Sequence, residues 1–267
     1  MSARYHPTFL SLLVLLSGLS LPSVAFGQLT AEDFINRGMD EKAGAQFDQA
    51  ITNFTNAIEL DPKSAEAYYC RGMVKTFKGD EDGAIADFSK AIELNPKDAR
   101  FYSKRGDAMR AKGDSDGAIA DFTKVIELNP NDAIAYFNRG EAKQTKGDQD
   151  GAITDLTKAI ELKPTDANAY ILRGIDKMVK GDLDGATADY STAIKLNPKY
   201  SIAYYDRGRV RQLKGDLDGA IIDYSKTIEL NPNYADAYYS RGNAKKAKGD
   251  QAGADADFAQ AAKLGGR

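Results

Sequence analysis

One interval governs this chain. Pro62, Pro96, Pro130, Pro164, Pro198 and Pro232 stand 34 residues apart, and Gly38, Gly72, Gly106, Gly140, Gly174, Gly208 and Gly242 recur at the same spacing. So do Ala50, Ala84, Ala118, Ala152, Ala186, Ala220 and Ala254. A chain of this length could form a single globular core, but a fixed period of this kind argues for a stack of like units, each burying one face against the next.

One unit, Ala65 to Asp98, shows what is repeated. Tyr68, Tyr69, Met73 and Phe77 fall at helical spacing, and Lys78-Gly79 follows as a helix C-terminus does, with a cation in the last turn and glycine beyond it. Asp80 fits the N-cap of a second helix, with Asp82 in its positive first turn. Ala84, Ile85, Phe88, Ala91 and Ile92 then form an apolar face until Asn95-Pro96 ends it. Each unit therefore reads as helix, tight turn, helix, short loop. The small residues Gly72 and Ala84 let the two backbones approach, and Phe88, with its counterparts Phe54, Phe122, Leu156, Tyr190, Tyr224 and Phe258, fills the space between units.

These residues resemble the tetratricopeptide repeat family, whose pattern sets a large aromatic, glycine, alanine, a second aromatic and proline at fixed offsets. The first aromatic here is Phe34, Tyr68, Tyr102, Tyr136, Tyr170, Tyr204 and Tyr238. The resemblance implies an all-α fold, a right-handed superhelical α-solenoid of seven repeats at 31–64, 65–98, 99–132, 133–166, 167–200, 201–234 and 235–267. It also implies a concave face lined by each unit's first helix. Two departures stand out. Arginine replaces the usual leucine before the glycine (Arg37, Arg71, Arg105, Arg139, Arg173, Arg207, Arg241), and Lys75 or Arg211 stands three residues after it, where tyrosine is common. Asp87, Asp121, Asp155, Asp189, Asp223 and Asp257 offer six of those arginines a carboxylate partner, whereas the first unit has Asn53.

The ends differ from the middle. Residues 1–27, with Arg4, an apolar stretch from Phe9 to Leu21 and the small residues Ala25 and Gly27, predict a cleavable signal peptide and a mature start at Gln28, with 28–30 a short lead-in. The expected location is a bacterial periplasm or outside the cell, with no stable membrane span after cleavage. At the far end Asp255 and Ala262 replace the isoleucines of earlier units, and Ala45-Gln46 replaces the Gly-Asp turn of the first. These edits predict a complete, self-capped array.

The chemistry that can be excluded is broad. The charge of −3, about −4 after cleavage, leaves no electrostatic footprint for nucleic acid. The only histidine, His6, falls in the signal segment, so Cys70 has no imidazole to activate it. The repeated Gly-Asp-x-Asp-Gly lacks the third ligand and distal glutamate of a calcium loop, and helix capping explains it. The sequon at Asn53 lies within a helix pattern. No cofactor, metal or catalytic constellation emerges, and the chain reads as non-enzymatic.

Binding remains. By the resemblance, the groove is built from the second, fifth, sixth, ninth, twelfth and thirteenth places of each unit, and these vary while the framework repeats. The first two units offer Ile35, Met39, Tyr69, Met73 and Phe77, and the third offers Arg100, Lys104 and Arg110 around Asp107. Phe137 follows, then the apolar Ile171, Leu172, Ile175, Met178 and Val179 of the fifth unit, then Tyr205 and Tyr239. The expected partner is another protein, held as an extended peptide or helix with a carboxylate near the third unit and apolar anchors on either side. The family's chaperone-tail clamp would need lysine at a fifth place, where this chain has Ile35, Tyr69, Ser103, Phe137, Ile171, Tyr205 or Tyr239. The alternatives from other classes are RNA binding through the repeated arginines and a self-associating structural protein.

Overall fold

A computed structural model describes residues 29–265, so the signal segment expected at 1–27 lies outside the described residues. Fourteen helices occur among them. The first helices of the seven pairs are α1 (Ala31–Ala43), α3 (Ala65–Phe77), α5 (Ala99–Ala111), α7 (Ala133–Lys146), α9 (Ala167–Val179), α11 (Ser201–Leu213) and α13 (Ala235–Ala247). The second helices are α2 (Phe47–Leu60), α4 (Glu81–Leu94), α6 (Ser115–Leu128), α8 (Gln149–Leu162), α10 (Leu183–Leu196), α12 (Leu217–Leu230) and α14 (Gln251–Lys263). None is long and apolar enough to cross a membrane.

The turn chemistry sets the boundaries. Asp80 accepts from the backbone N–H of Gly83 at 3.0 Å, and Asp114, Asp148, Asp182, Asp216 and Asp250 cap their helices the same way. The first aspartate of each calcium-like motif is thus a helix cap, and the second, as Asp150 does with Lys180, pairs with a lysine of the next unit. Gly147 ends α7 in the left-handed region at φ 85°, which glycine enters without strain. The first unit departs: Ala45 takes that conformation at φ 58°, and Gln46 makes no side-chain cap.

Within a unit the helices meet where the residues are smallest. A Cβ on Gly72 would come within 2.7 Å of the Phe88 ring, so the absent side chain is what admits the ring. Phe88 is 1% exposed and reaches onward to Ala108 of the next unit. It fills the space within its own pair as well as the space between units, and burying such a ring contributes about 2–3 kcal/mol.

Successive first helices touch along the stack, α1 with α3 and so on to α11 with α13, whereas no two second helices touch among the described residues. The stack therefore curves with the first helices inside. They line the concave face, and the second helices splay along the convex one.

The repeated arginines tie this curve together. Arg139 donates to both Asp155 oxygens, Nε at 2.8 Å and Nη2 at 2.6 Å, while its Nη1 donates to Thr123 of the preceding unit at 3.1 Å. The same three-helix bridge recurs from Arg71, Arg105, Arg173, Arg207 and Arg241. The cation three places after the glycine supplies a second partner: Lys75, Lys143, Lys177, Arg211 and Lys245 each reach the same buried carboxylate. Both departures from the family pattern thus serve one internal ion cluster, and these six arginines are spent on the fold and not on a polyanion. In the first unit Asn53 donates to Glu41 instead.

Candidate functional site

The concave face begins with an aromatic ledge. Phe77 is 63% exposed and stacks on Phe47, with centroids 5.9 Å apart and planes 4° from parallel, while the Lys42 ammonium lies 5.7 Å from its ring. Met39 of α1 is 43% exposed. Ile35 and Tyr69 pack against the core around Phe54, and Met73 against the core around Phe88. The half-buried Tyr69 also tilts against Phe101 at 5.2 Å.

The third unit is less available than its sequence suggests. Arg100 donates to Glu66 and to Asp98, both at 2.8 Å, and its guanidinium lies 5.1 Å from the Tyr69 ring. Its bonds hold the Asp98 carboxyl below the usual carboxylate range. Lys104 pairs with Asp107 at 3.3 Å, and Arg110 with Glu141 of the next unit. All three cations expected to meet a partner carboxylate already have one within the chain. Arg100 and Lys104 nonetheless line a cleft of about 210 Å³ with Tyr69 and Ser103.

In the fourth and fifth units the apolar residues divide. Phe137 lines a cleft of about 260 Å³ with Ile134, Asn138, Lys163, Asp166 and Ala169. Ile171 is only 5% exposed: it belongs to the core around Tyr190, and the expectation that it faces a partner is corrected. Its place in the unit puts it where α9 meets α10 and α11, and an isoleucine there is covered. Ile175 and Met178 are half-buried against that core, and Leu172 is half-buried as well. At the far end Tyr205 packs edge-on to Tyr234 at 4.9 Å, and its hydroxyl lies 3.4 Å from that of Ser240. Tyr239 is 40% exposed against Phe258.

Two residues left out of the expected site are among the most exposed apolar groups. Ile134 is 63% and Leu213 66% exposed, at a second and a thirteenth place. With Phe77 and Val179 (62% exposed), Leu213 marks the thirteenth place in three units as an apolar rim. Cys70 is buried, and burial pushes its thiol up to about 12, so it is not a nucleophile. Among the described residues no group of three or more histidine, cysteine, aspartate or glutamate side chains is placed to hold a metal ion.

Comparison with known proteins follows the same units. A family profile described as TPR repeat matches residues 43–75, 106–147, 178–215 and 213–249, and two described as tetratricopeptide repeat match 65–98 and 133–166. No curated protein matches the chain. Among solved structures, MamA is 35% identical over 60% of this chain and 93% of its own, with a TM-score of 0.58. YrrB, described as a TPR protein with an unusual peptide-binding site, is 23% identical over 70% of this chain and 97% of its own, at 0.62. A tetratricopeptide repeat protein from Parabacteroides merdae covers 88% of this chain and 93% of its own, at 20% identity and 0.68.

Proposed function

Because the chain belongs to the tetratricopeptide repeat family, whose fold is that of a protein-interaction scaffold, we propose that it is a non-enzymatic scaffold holding a partner protein in its concave groove. The partner lies along the first helices as an extended peptide or a helix. One observation carries this reading: the buried framework repeats unit by unit, while an inward place such as the second changes from Glu66 to Arg100 to Ile134 to Asn168 and keeps much of its surface exposed. Selection for packing alone leaves no reason for that contrast.

The apolar anchors are Met39 and Phe77 at one end and Val179 and Leu213 toward the other. Any partner carboxylate in the third unit enters by exchange with Glu66 or Asp98 on Arg100, which favours a short acidic contact between apolar ones. The scaffold works in the periplasm or outside the cell, supported by the signal-like pattern of residues 1–27.

The test replaces exposed residues so that the fold survives. Phe77→Asp combined with Leu213→Asp, checked for unchanged helicity, is expected to lose the partners that the wild-type protein captures from the native envelope. Retention of the same partners by the double variant sinks the groove assignment.

A further inference from the structure

Two inward side chains of α11 lack the partners that the same places have elsewhere in the stack. Gln144 of α7 and Gln212 of α11 hold one place in their units. The Gln144 amide donates at 3.0 Å to Asp176 of the next first helix, an acid 1% exposed. The residue that matches Asp176 beyond Gln212 is Ala244, and the Gln212 amide nitrogen donates to nothing among the described residues. Arg209 repeats the pattern. It is the only cation at a ninth place, where the fourth unit has Glu141 paired with Arg110 of the unit before. The residue that matches Arg110 before Arg209 is the uncharged Met178. One acid reaches Arg209: the 5%-exposed Asp206 accepts from its Nη1 at a long 3.5 Å, and its Nε and Nη2 make no hydrogen bond among the described residues.

These donors surround one opening. Arg209, Gln212, Leu213, Tyr224 and Ser240 line a cleft of about 470 Å³ between the sixth and seventh units. The fully buried Tyr224 donates its hydroxyl to Gln212 Oε1 at 2.8 Å, which occupies the amide oxygen and leaves the nitrogen to donate. Tyr205 braces the other side. Its ring lies 5.8 Å from that of Tyr224 and 5.9 Å from the Arg209 guanidinium, and its hydroxyl is 3.4 Å from that of Ser240. Guanidinium, amide and hydroxyl thus offer donors to the cleft, and the 66%-exposed Leu213 gives it an apolar lip. Asp223, the other buried acid of this unit, is already held by Arg207 and Arg211.

We propose that this cleft reads an acidic residue of the partner: an aspartate or glutamate side chain accepts from Arg209, Gln212 and Ser240, and a neighbouring apolar side chain lies on Leu213. A carboxylate brings two acceptor oxygens and no donor, which is what the set leaves unfilled. It displaces only one long bond to Asp206, whereas on Arg100 it must displace two bonds of 2.8 Å. The inference rests on the binding reading above and moves its acidic contact from the third unit to the joint of the sixth and seventh.

A library of random linear peptides displayed on phage, selected on the immobilised protein, tests it. Wild type is expected to enrich peptides with an acid beside a large apolar residue. One such peptide, and its copy with the acid changed to the matching amide, are then measured on wild type and on Arg209→Gln. Wild type is expected to favour the acidic copy about tenfold, and Arg209→Gln to bind both copies alike, as tightly as wild type binds the amide copy. Gln212→Glu keeps an acceptor for the Tyr224 hydroxyl but replaces the amide donor with a like charge, and is also expected to abolish the preference. An acid preference that survives both substitutions overturns the subsite. A set of purely apolar binders overturns it as well, and leaves the groove reading standing. A library that yields no binder to wild type sinks the groove reading and the subsite with it.

Discussion

Ala45 shows how much one residue of the repeat is worth. It holds φ 58° where later units have glycine, and Gln46 follows where they have the capping aspartate. Left-handed backbone strains an alanine, and an uncapped helix start leaves N–H groups unsatisfied. Ala45→Gly with Gln46→Asp is therefore expected to stabilise the first unit by about 1–2 kcal/mol, read as a shift in its denaturant midpoint. Arg139 shows the opposite dependence. Its loss strands the 2%-exposed Asp155 with Lys143 alone, so Arg139→Ala is expected to cost about 3 kcal/mol. Arg139→Leu with Asp155→Ala, which leaves no orphaned charge, is expected to recover most of that in the same unfolding experiment. The aspartates pairing with arginine were legible because the two recur in step. Asp176 and Asp206 were not, since each occurs once among the buried places and only the structure shows their burial. For Asp176 the available signal was a lone acid at a place held by valine or alanine in the other inner units, whereas the sixth place, where Asp206 stands, is polar in most units and carried none.

At the scale of the helix, the sequence is nearly sufficient. Asn95 before Pro96 ends α4 after Leu94, and Asp80 starts it at Glu81, because local backbone chemistry decides both. Which side of a helix meets a partner is less local. Ile171 and Ile134 are both isoleucines at places assigned to the groove, yet one is 5% and the other 63% exposed. The difference arises from the neighbouring helices, α10 and α11 in one case and open cleft in the other, which no single-helix pattern encodes. The close crossing of α3 and α4 is fully local by comparison. Gly72→Ala drives a methyl to within 2.7 Å of the Phe88 ring, and a loss of about 1–3 kcal/mol is expected.

Over the whole molecule each pair touches only its neighbours, so strain stays near its source. The Gly72→Ala lesion is expected to lower exchange protection in α1 to α6 while leaving α11 to α14 at their wild-type values. Equal loss along the chain would show a single cooperative core instead. The missing contact between successive second helices has a mechanical meaning as well. With one edge joined and the other unglued, the protein resembles the pleats of a hand fan. Small rotations at each fold add up along seven pleats, so the mouth can widen or narrow without tearing any one seam.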